Sequence, residues 1–189
     1  MGFGFSYREG SFSPAEAASI TGVAMHLQRD WRSQGLLRAR ESGRAAFAPL
    51  ELAYMRLMMK LRALGVALAD AKPLAEEAAP AVIYAAISHH NEKAIAIDGP
   101  AETATRFRDQ VSRDTNDGYL HMLAGSTETS AHHFAVIVGD RCILVPTLGE
   151  GEMLEHNEVG GLINLWGVAH ALVSKAGRPL FTLVVPQAA

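Results

Sequence analysis

Cysteine is nearly absent from this chain, and so are long apolar runs. A single cysteine, Cys142, among 189 residues excludes an intrachain disulfide framework and any metal site built from several thiolates of one chain. Because apolar, strand-like residues follow it, we predict a structural thiol there rather than a reactive one. No apolar run approaches the roughly 20 residues of a membrane span, and residues 1–5 lack the pattern of a signal peptide. We therefore expect a cytoplasmic protein without membrane contact.

Signatures of catalysis and of bound cofactors are also missing. The sequence contains no complete nucleophile triad, no phosphate-cradling glycine loop and no metal-ligand motif at the usual spacing. Several histidines offer imidazoles for a divalent metal, namely the pairs at 89–90 and 132–133 with His121, His156 and His170. Adjacent histidines on a strand point to opposite faces, however, so neither pair chelates by itself. We predict no enzyme, no metal and no cofactor.

The charge is unevenly divided along the chain. Residues 1–77 carry 10 Lys and Arg against 8 Asp and Glu, whereas residues 78–189 carry 7 against 12, so the formal net charge of −3 hides a basic first part and an acidic second part. Five arginines share one short stretch that holds only two acidic residues; they are Arg29, Arg32, Arg38, Arg40 and Arg44. This local excess suits phosphate contact, and a solvated charged face is the alternative.

Local signals predict two helices joined by a tight turn. Ser13, Pro14 and Glu16 form a helix start in which Ser13 and Glu16 make a capping box. That helix runs to about residue 20, Gly22 permits the turn, and a second helix covers residues 24–33. Val23, Leu27 and Trp31 recur every four residues and are predicted to pack inward. The outward set is polar, long and cationic: Met25, His26, Gln28, Arg29 and Arg32.

The following residues predict a wing and two more helices. Residues 38–47 alternate around Ser42 and Gly43, which is typical of a short hairpin, and Arg40 and Arg44 lie on or beside it. Pro49 opens a third helix that Gly65 closes, and a short fourth helix covers residues 68–77. Residues 78–80, which end in a proline, mark the expected boundary. We thus divide the chain into a first domain over residues 10–79 and a second over residues 80–189.

The segment from Ser13 to Glu77 resembles the DNA-binding domain of the MerR family of bacterial transcription regulators. The resemblance covers about 65 residues, and its anchors keep the family's spacing: residues 21–23, Arg29, Trp31, residues 35–37, Arg44, Phe47, residues 51–52 and residues 61–68. It implies an all-α winged helix-turn-helix that binds double-stranded DNA. Helix 24–33 is then the recognition helix and residues 38–47 are the wing.

The resemblance also implies roles for single residues. Arg29 matches the family's recognition-helix arginine, with Met25, His26 and Gln28 nearby as candidate base or sugar contacts. Arg32, Arg40 and Arg44 are further candidate DNA contacts, and Trp31 is expected to pack in the core. Arg56 and Arg62 are interpreted as parts of a solvated helix face. Position 28 is polar here, where the family usually buries an aliphatic side chain.

MerR-like proteins bind as dimers and activate by distorting a promoter spacer, which implies contact with RNA polymerase and leaves open a small-molecule effector. The family's long heptad-patterned dimerisation helix is not evident here. Pro80 stands at its expected start, and residues 82–87 are short and β-compatible. We therefore expect a homodimer formed through the second domain, and binding as a monomer or as a cooperative array is the alternative.

The second domain predicts the order β, α, β, β, α, β. The elements are a strand at 94–98, a helix at 101–113, a hairpin of 133–138 with 142–145 around Gly139 and Asp140, a helix at 158–175 and a strand at 180–185. This order suggests a small α/β (α+β) domain of ferredoxin-like type. Residues 149–156 form a Gly- and acid-rich loop, which fits either a ligand site or a solvated connector.

The leading hypothesis is a sequence-specific transcription regulator, acting in the cytoplasm at the nucleoid, whose second domain serves dimerisation or ligand sensing. One alternative is an architectural, excisionase-like accessory protein that bends DNA. Another is a protein-interaction module, or an enzyme in the second domain with a protein-binding winged helix in front of it.

Overall fold

The first two helices form where the local signals predict them. The computed structural model describes residues 6–38, 46–113, 123–124, 132–138, 141–148 and 160–184. Helix α1 spans Pro14–Thr21, and helix α2 spans Met25–Ser33. The predicted capping box is confirmed, because Ser13 Oγ accepts from the Glu16 N–H at 3.3 Å while a Glu16 carboxylate oxygen accepts from the Ser13 N–H at 2.7 Å. Gly22 then ends α1 at a φ of 83°, a left-handed conformation that glycine adopts without a Cβ penalty.

The third helix, α3, spans Pro49–Ala63, and contacts near both ends of the predicted wing hold the neighbouring backbone in place. Just before it, Phe47 forms an antiparallel bridge with Phe12, with backbone hydrogen bonds of 2.8 and 3.0 Å. Tyr54, within α3, donates its phenolic hydrogen to the Leu36 carbonyl at 2.7 Å. The backbone on either side of the wing is thereby fixed against the helical core.

The fourth helix, α4, is much longer than its sequence predicts. It spans Leu68–His89 and contains both Pro73 and Pro80, so the predicted helix end at residue 77 and the β-compatible assignment of residues 82–87 are wrong. All seven residues from 81 to 87 are buried. A helix that is apolar on every side is surrounded by protein, and this burial offsets the hydrogen bond that Pro80 cannot make.

The remaining elements follow the predicted order, apart from an unpredicted short helix before the first strand and an unpredicted strand before the last helix. They are α5 (Asn91–Ala94), β2 (Ile95–Asp98), α6 (Ala101–Arg113), β3 (Phe134–Val138), β4 (Arg141–Val145), β5 (Gly161–Asn164), α7 (Leu165–Ala176) and β6 (Phe181–Val184). The helix predicted over residues 158–175 is wrong at its start, because residues 161–164 form a strand. Asn164 then caps α7 by accepting from the Gly167 N–H at 2.9 Å.

The described strands lie in two three-stranded sheets. One sheet has the order β1-β6-β2, where β1 is Ser6–Glu9; β2 runs parallel to β6 and β1 antiparallel to it. The other has the order β4-β3-β5 and is antiparallel throughout. The ferredoxin-like arrangement is not confirmed, because the four strands predicted for it are divided between these two sheets.

The core is continuous from one part of the chain to the other. One cluster of buried apolar side chains extends from Phe12 to Leu183, and α7 packs against α1, α3 and α4. Near the surface, Arg178 donates to the Ser11 carbonyl, approaches Glu16 Oε1 at 3.3 Å and lies over the Phe12 ring. The second part of the chain therefore supports the back of the helix-turn-helix. Among the described helices, none combines the length and the apolar character that a membrane crossing needs.

Candidate nucleic-acid interface

The turn between α1 and α2 is closed by side-chain hydrogen bonds. Thr21 Oγ1 donates to the Ala17 carbonyl at 2.7 Å and accepts from the Val23 N–H at 3.1 Å. Because Thr21 is buried, these bonds satisfy polar groups at a helix end that water cannot reach. They fix the direction in which α2 leaves the turn, and with it the side chains that α2 exposes.

Gln28 faces the interior rather than the solvent. Its side chain is 2% exposed, and its amide nitrogen donates to the carbonyls of Pro14 and Val23, both at 2.9 Å. The prediction that Gln28 points outward as a DNA contact is therefore wrong. An amide nitrogen carries two hydrogens, so these two bonds use both of its donors. Gln28 instead ties α2 to the start of α1 and to the turn.

Three of the predicted residues do form an exposed surface, which we call the outer face of α2: Met25, His26 and Arg29. Positions 25 and 29 are one helical turn apart and lie side by side. Among the described residues Arg29 forms no ion pair or hydrogen bond, and Met25 is 52% exposed. A groove of about 250 Å³ runs along this surface, lined by Pro14, Met25, Gln28, Arg29 and Arg32.

Arg32 continues this surface but is partly engaged. Its Nε donates to the Arg38 carbonyl at 3.3 Å, and its guanidinium carbon lies 5.4 Å from the centre of the Phe47 ring. Both contacts are at the base of the wing, so Arg32 joins α2 to the wing and is also one of the residues that line the groove. Arg38 is exposed beside it. Arg40 and Arg44, the other predicted wing contacts, lie outside the described residues.

Two cations that support this surface were not recognised from the sequence. Arg56 on α3 donates to the Ile20 carbonyl at 2.7 Å, and burial lowers the pKa of its guanidinium, so its interpretation as part of a solvated face is wrong. Lys72 on α4 donates to the Gly35 carbonyl at 3.1 Å. Both carbonyls lie at helix ends, where backbone oxygens have no partner within the helix. The unpaired carbonyls expected at these helix ends are the signal from which such donors could have been predicted. Arg62 is exposed, as predicted.

Trp31 belongs to the core, as predicted. Its side chain is 1% exposed, on the side of α2 opposite the outer face, and its carbonyl accepts from the Leu36 N–H at 2.8 Å. Trp31 thus anchors both the helix and the segment that leads to the wing.

A second group of ring side chains lies at the far end of α4. Trp166 on α7 contacts the rings of His89 and His133, which are tilted against it with ring centres 3.8 and 3.9 Å away, and the ring centres of His90 and His170 are 5.0 Å apart. Burial lowers the pKa of His89, His90 and His132, and neighbouring imidazoles lower it further. Within the described part of the chain, no three His, Cys, Asp or Glu side chains are placed to share a metal ion. His121, His156 and the loop at residues 149–156 lie outside that part.

Cys142 on β4 has the environment of a structural thiol. Burial, together with the nearby carboxylate of Glu77, raises the pKa of the Cys142 thiol to about 12. Because the thiolate is the reactive species, such a thiol is inert at neutral pH. This agrees with the prediction from the sequence.

The helix-turn-helix geometry agrees with a comparison to known families. A family model described as MerR HTH family regulatory protein matches residues 12–78. The N-terminal segment is therefore a MerR-family DNA-binding domain, the kind of domain found in DNA-binding transcription regulators. The match ends in the middle of α4, so it does not extend to residues 79–189. Searches of curated proteins and of solved structures find no match to this chain.

Proposed function

We propose that this chain is a sequence-specific DNA-binding transcription regulator that inserts α2 into the major groove. The observation that carries the proposal is the outer face of α2, where Arg29 is exposed and forms no ion pair or side-chain hydrogen bond with another described residue. An unpaired guanidinium on a helix surface is available for guanine N7 and O6 or for phosphate oxygens. The same face holds Met25 and His26, and the helix-turn-helix presents all three residues together.

The wing, residues 38–47, contacts the backbone beside the groove in this proposal. Arg32 already joins α2 to the wing base, and Arg38 is exposed next to it. Arg40 and Arg44 add two further positive charges to the sequence of the predicted wing. Phosphate contacts of this kind position the protein, and base contacts from the outer face of α2 provide the specificity.

We assign residues 10–79 to DNA binding and residues 80–189 to dimerisation or ligand sensing. Residues 81–87 of α4 are all buried within their own chain, which supports placing the homodimer contact on other surfaces of residues 80–189. A two-fold symmetric dimer requires a palindromic operator. Contact with RNA polymerase and a small-molecule effector belong to the same proposal.

A regulator of this kind is not an enzyme, and MerR-type regulators are typically non-enzymatic. We propose no catalytic role, no metal and no cofactor for this chain. Its place of action is the cytoplasm, at the nucleoid.

The direct test is fluorescence anisotropy with the DNA upstream of the chain's own operon, at several salt concentrations. We expect binding that weakens steeply with salt, because phosphate contacts release counterions. Arg29→Ala removes a base or phosphate contact and is expected to weaken binding by about tenfold or more. The matched control is Arg106→Ala, which removes the same charge from an exposed site on α6.

Two results would contradict the proposal. One is the absence of salt-sensitive binding by the wild-type chain. The other is equal affinity of wild type and Arg29→Ala, particularly if Arg106→Ala weakened binding as much as Arg29→Ala does.

A further inference from the structure

The groove beside α2 combines an apolar surface with a cation. Met25 is among the few large apolar side chains that are exposed in the described part of the chain, and it lines the groove together with Pro14 of α1. Arg29 lies one helical turn beyond Met25 on the same face. A ligand that fits this groove therefore offers an apolar group next to a hydrogen-bond acceptor.

The groove lacks the group that would recognise adenine. Adenine is read in the major groove by the side-chain amide of Asn or Gln, which donates one bond and accepts another. Gln28 is the amide side chain that lines this groove, and its nitrogen already donates to Pro14 and Val23. Both donors are used within the protein, so Gln28 has none to offer adenine.

The remaining groups match thymine and guanine. The 5-methyl group of thymine is the apolar feature that the edges of base pairs present in the major groove, and guanine offers N7 and O6 as acceptors for arginine. We propose that Met25, backed by Pro14, contacts the methyl group of one thymine in each operator half-site. Arg29 contacts a guanine adjacent to that thymine. This inference rests on the proposed DNA-binding function and names the bases that the outer face of α2 selects.

Replacement of thymine by deoxyuridine tests the methyl contact without altering base pairing. Duplexes are first selected from a random pool by the full chain, and each thymine is then replaced in turn. Because burying one methyl-sized group is worth about 0.8 kcal/mol, we expect an affinity loss of about fourfold at one position in each half-site. Replacements elsewhere are expected to change affinity by less.

The protein side of the test uses Met25→Ala. This variant is expected to bind the thymine and the deoxyuridine duplexes equally, so the double-mutant cycle assigns the methyl contact to Met25. The matched control is Leu162→Ala, which truncates a similarly exposed apolar side chain on β5 and should keep the fourfold preference for thymine. Circular dichroism checks that both variants are folded.

The possible outcomes separate this inference from the proposed function. If the wild type binds with Arg29-dependent affinity but no thymine is sensitive to replacement, the methyl contact is overturned and the proposed function stands. A thymine preference that persists in Met25→Ala also overturns it, because another residue then reads the methyl group. If no selected duplex binds in a salt-sensitive manner, the proposed function and this inference fail together.

Discussion

The outer face of α2 and the second half of α4 are opposite kinds of helix surface. Met25, His26 and Arg29 are exposed, and Arg29 has no ion-pair partner among the residues that the structure describes, whereas residues 81–87 are buried on every side. The first surface contributes little to folding and leaves its side chains free for a ligand. The second contributes to the common core that supports the helix-turn-helix from behind. Substitutions on the outer face of α2 should therefore weaken DNA binding, whereas substitutions at residues 81–87 should lower the free energy of unfolding.

The largest effect is expected from a substitution in the buried second half of α4. Ile83→Ala removes a fully buried side chain and should lower the free energy of unfolding by about 2–5 kcal/mol, because it leaves a cavity in a packed core. Urea denaturation measures this loss. Met25→Ala on the outer face of α2 is the control and should change stability by no more than about 0.5 kcal/mol. Equal effects of the two substitutions would refute the contrast between the surfaces.

Two adjacent residues of α2 sharpen the same comparison. Gln28→Ala removes two hydrogen bonds and leaves the Val23 carbonyl without its donor, so it should lower the free energy of unfolding by about 1–3 kcal/mol. Arg29→Ala should weaken DNA binding and change stability by no more than about 0.5 kcal/mol. Denaturation and anisotropy are measured on both variants. The contrast fails if Arg29→Ala is the more destabilising of the two.

The smallest expected effect concerns the histidines at the far end of α4. Burial and neighbouring imidazoles lower the pKa of His89, His90 and His132 in the folded chain below the ordinary value of 6.5. The unfolded chain then binds these protons more readily. The contribution of these neutral histidines to the stability of the folded chain is therefore complete above the ordinary pKa. It is lost as the pH falls through their lowered pKa values. The charged neighbours that lower these pKa values are His133 and His90 for His89, His170 and Lys93 for His90, and His133 for His132.

Melting temperatures between pH 7.5 and 5 measure this dependence. Wild type should melt at a lower temperature in acid. The melting temperature of His89→Phe should fall less, because phenylalanine keeps a ring against Trp166 but cannot take up a proton. His26→Phe on the outer face of α2 is the control and should follow wild type. If the melting temperature of His89→Phe fell as much as that of wild type, the assignment of this pH dependence to His89 would be contradicted.

The sequence predicted those features that local chemistry decides. The capping box of Ser13 and Glu16, the left-handed turn at Gly22 and the start of α3 at Pro49 involve residues within four positions of each other. Such signals act before the chain has a tertiary structure. The first two helices, their turn and the exposed outer face of α2 were therefore predictable.

Distant contacts decide the features that the sequence did not predict. Pro80 is a helix breaker by local rules, yet the burial of residues 81–87 keeps α4 continuous through it. Residues 161–164 form a strand because β3, more than 20 positions earlier, pairs with them. Gln28 faces inward because its side chain donates a hydrogen bond to the carbonyl of Pro14, which belongs to another helix. Each outcome depends on groups that a local pattern does not contain.

Hydrogen–deuterium exchange of the full chain, with and without a selected duplex, tests the central claim most directly. We predict new protection in peptides that cover residues 25–38, and little change at residues 81–87 because burial already slows their exchange. Protection that appeared elsewhere while residues 25–38 stayed unchanged would contradict the assignment of the outer face of α2 as the DNA-binding surface.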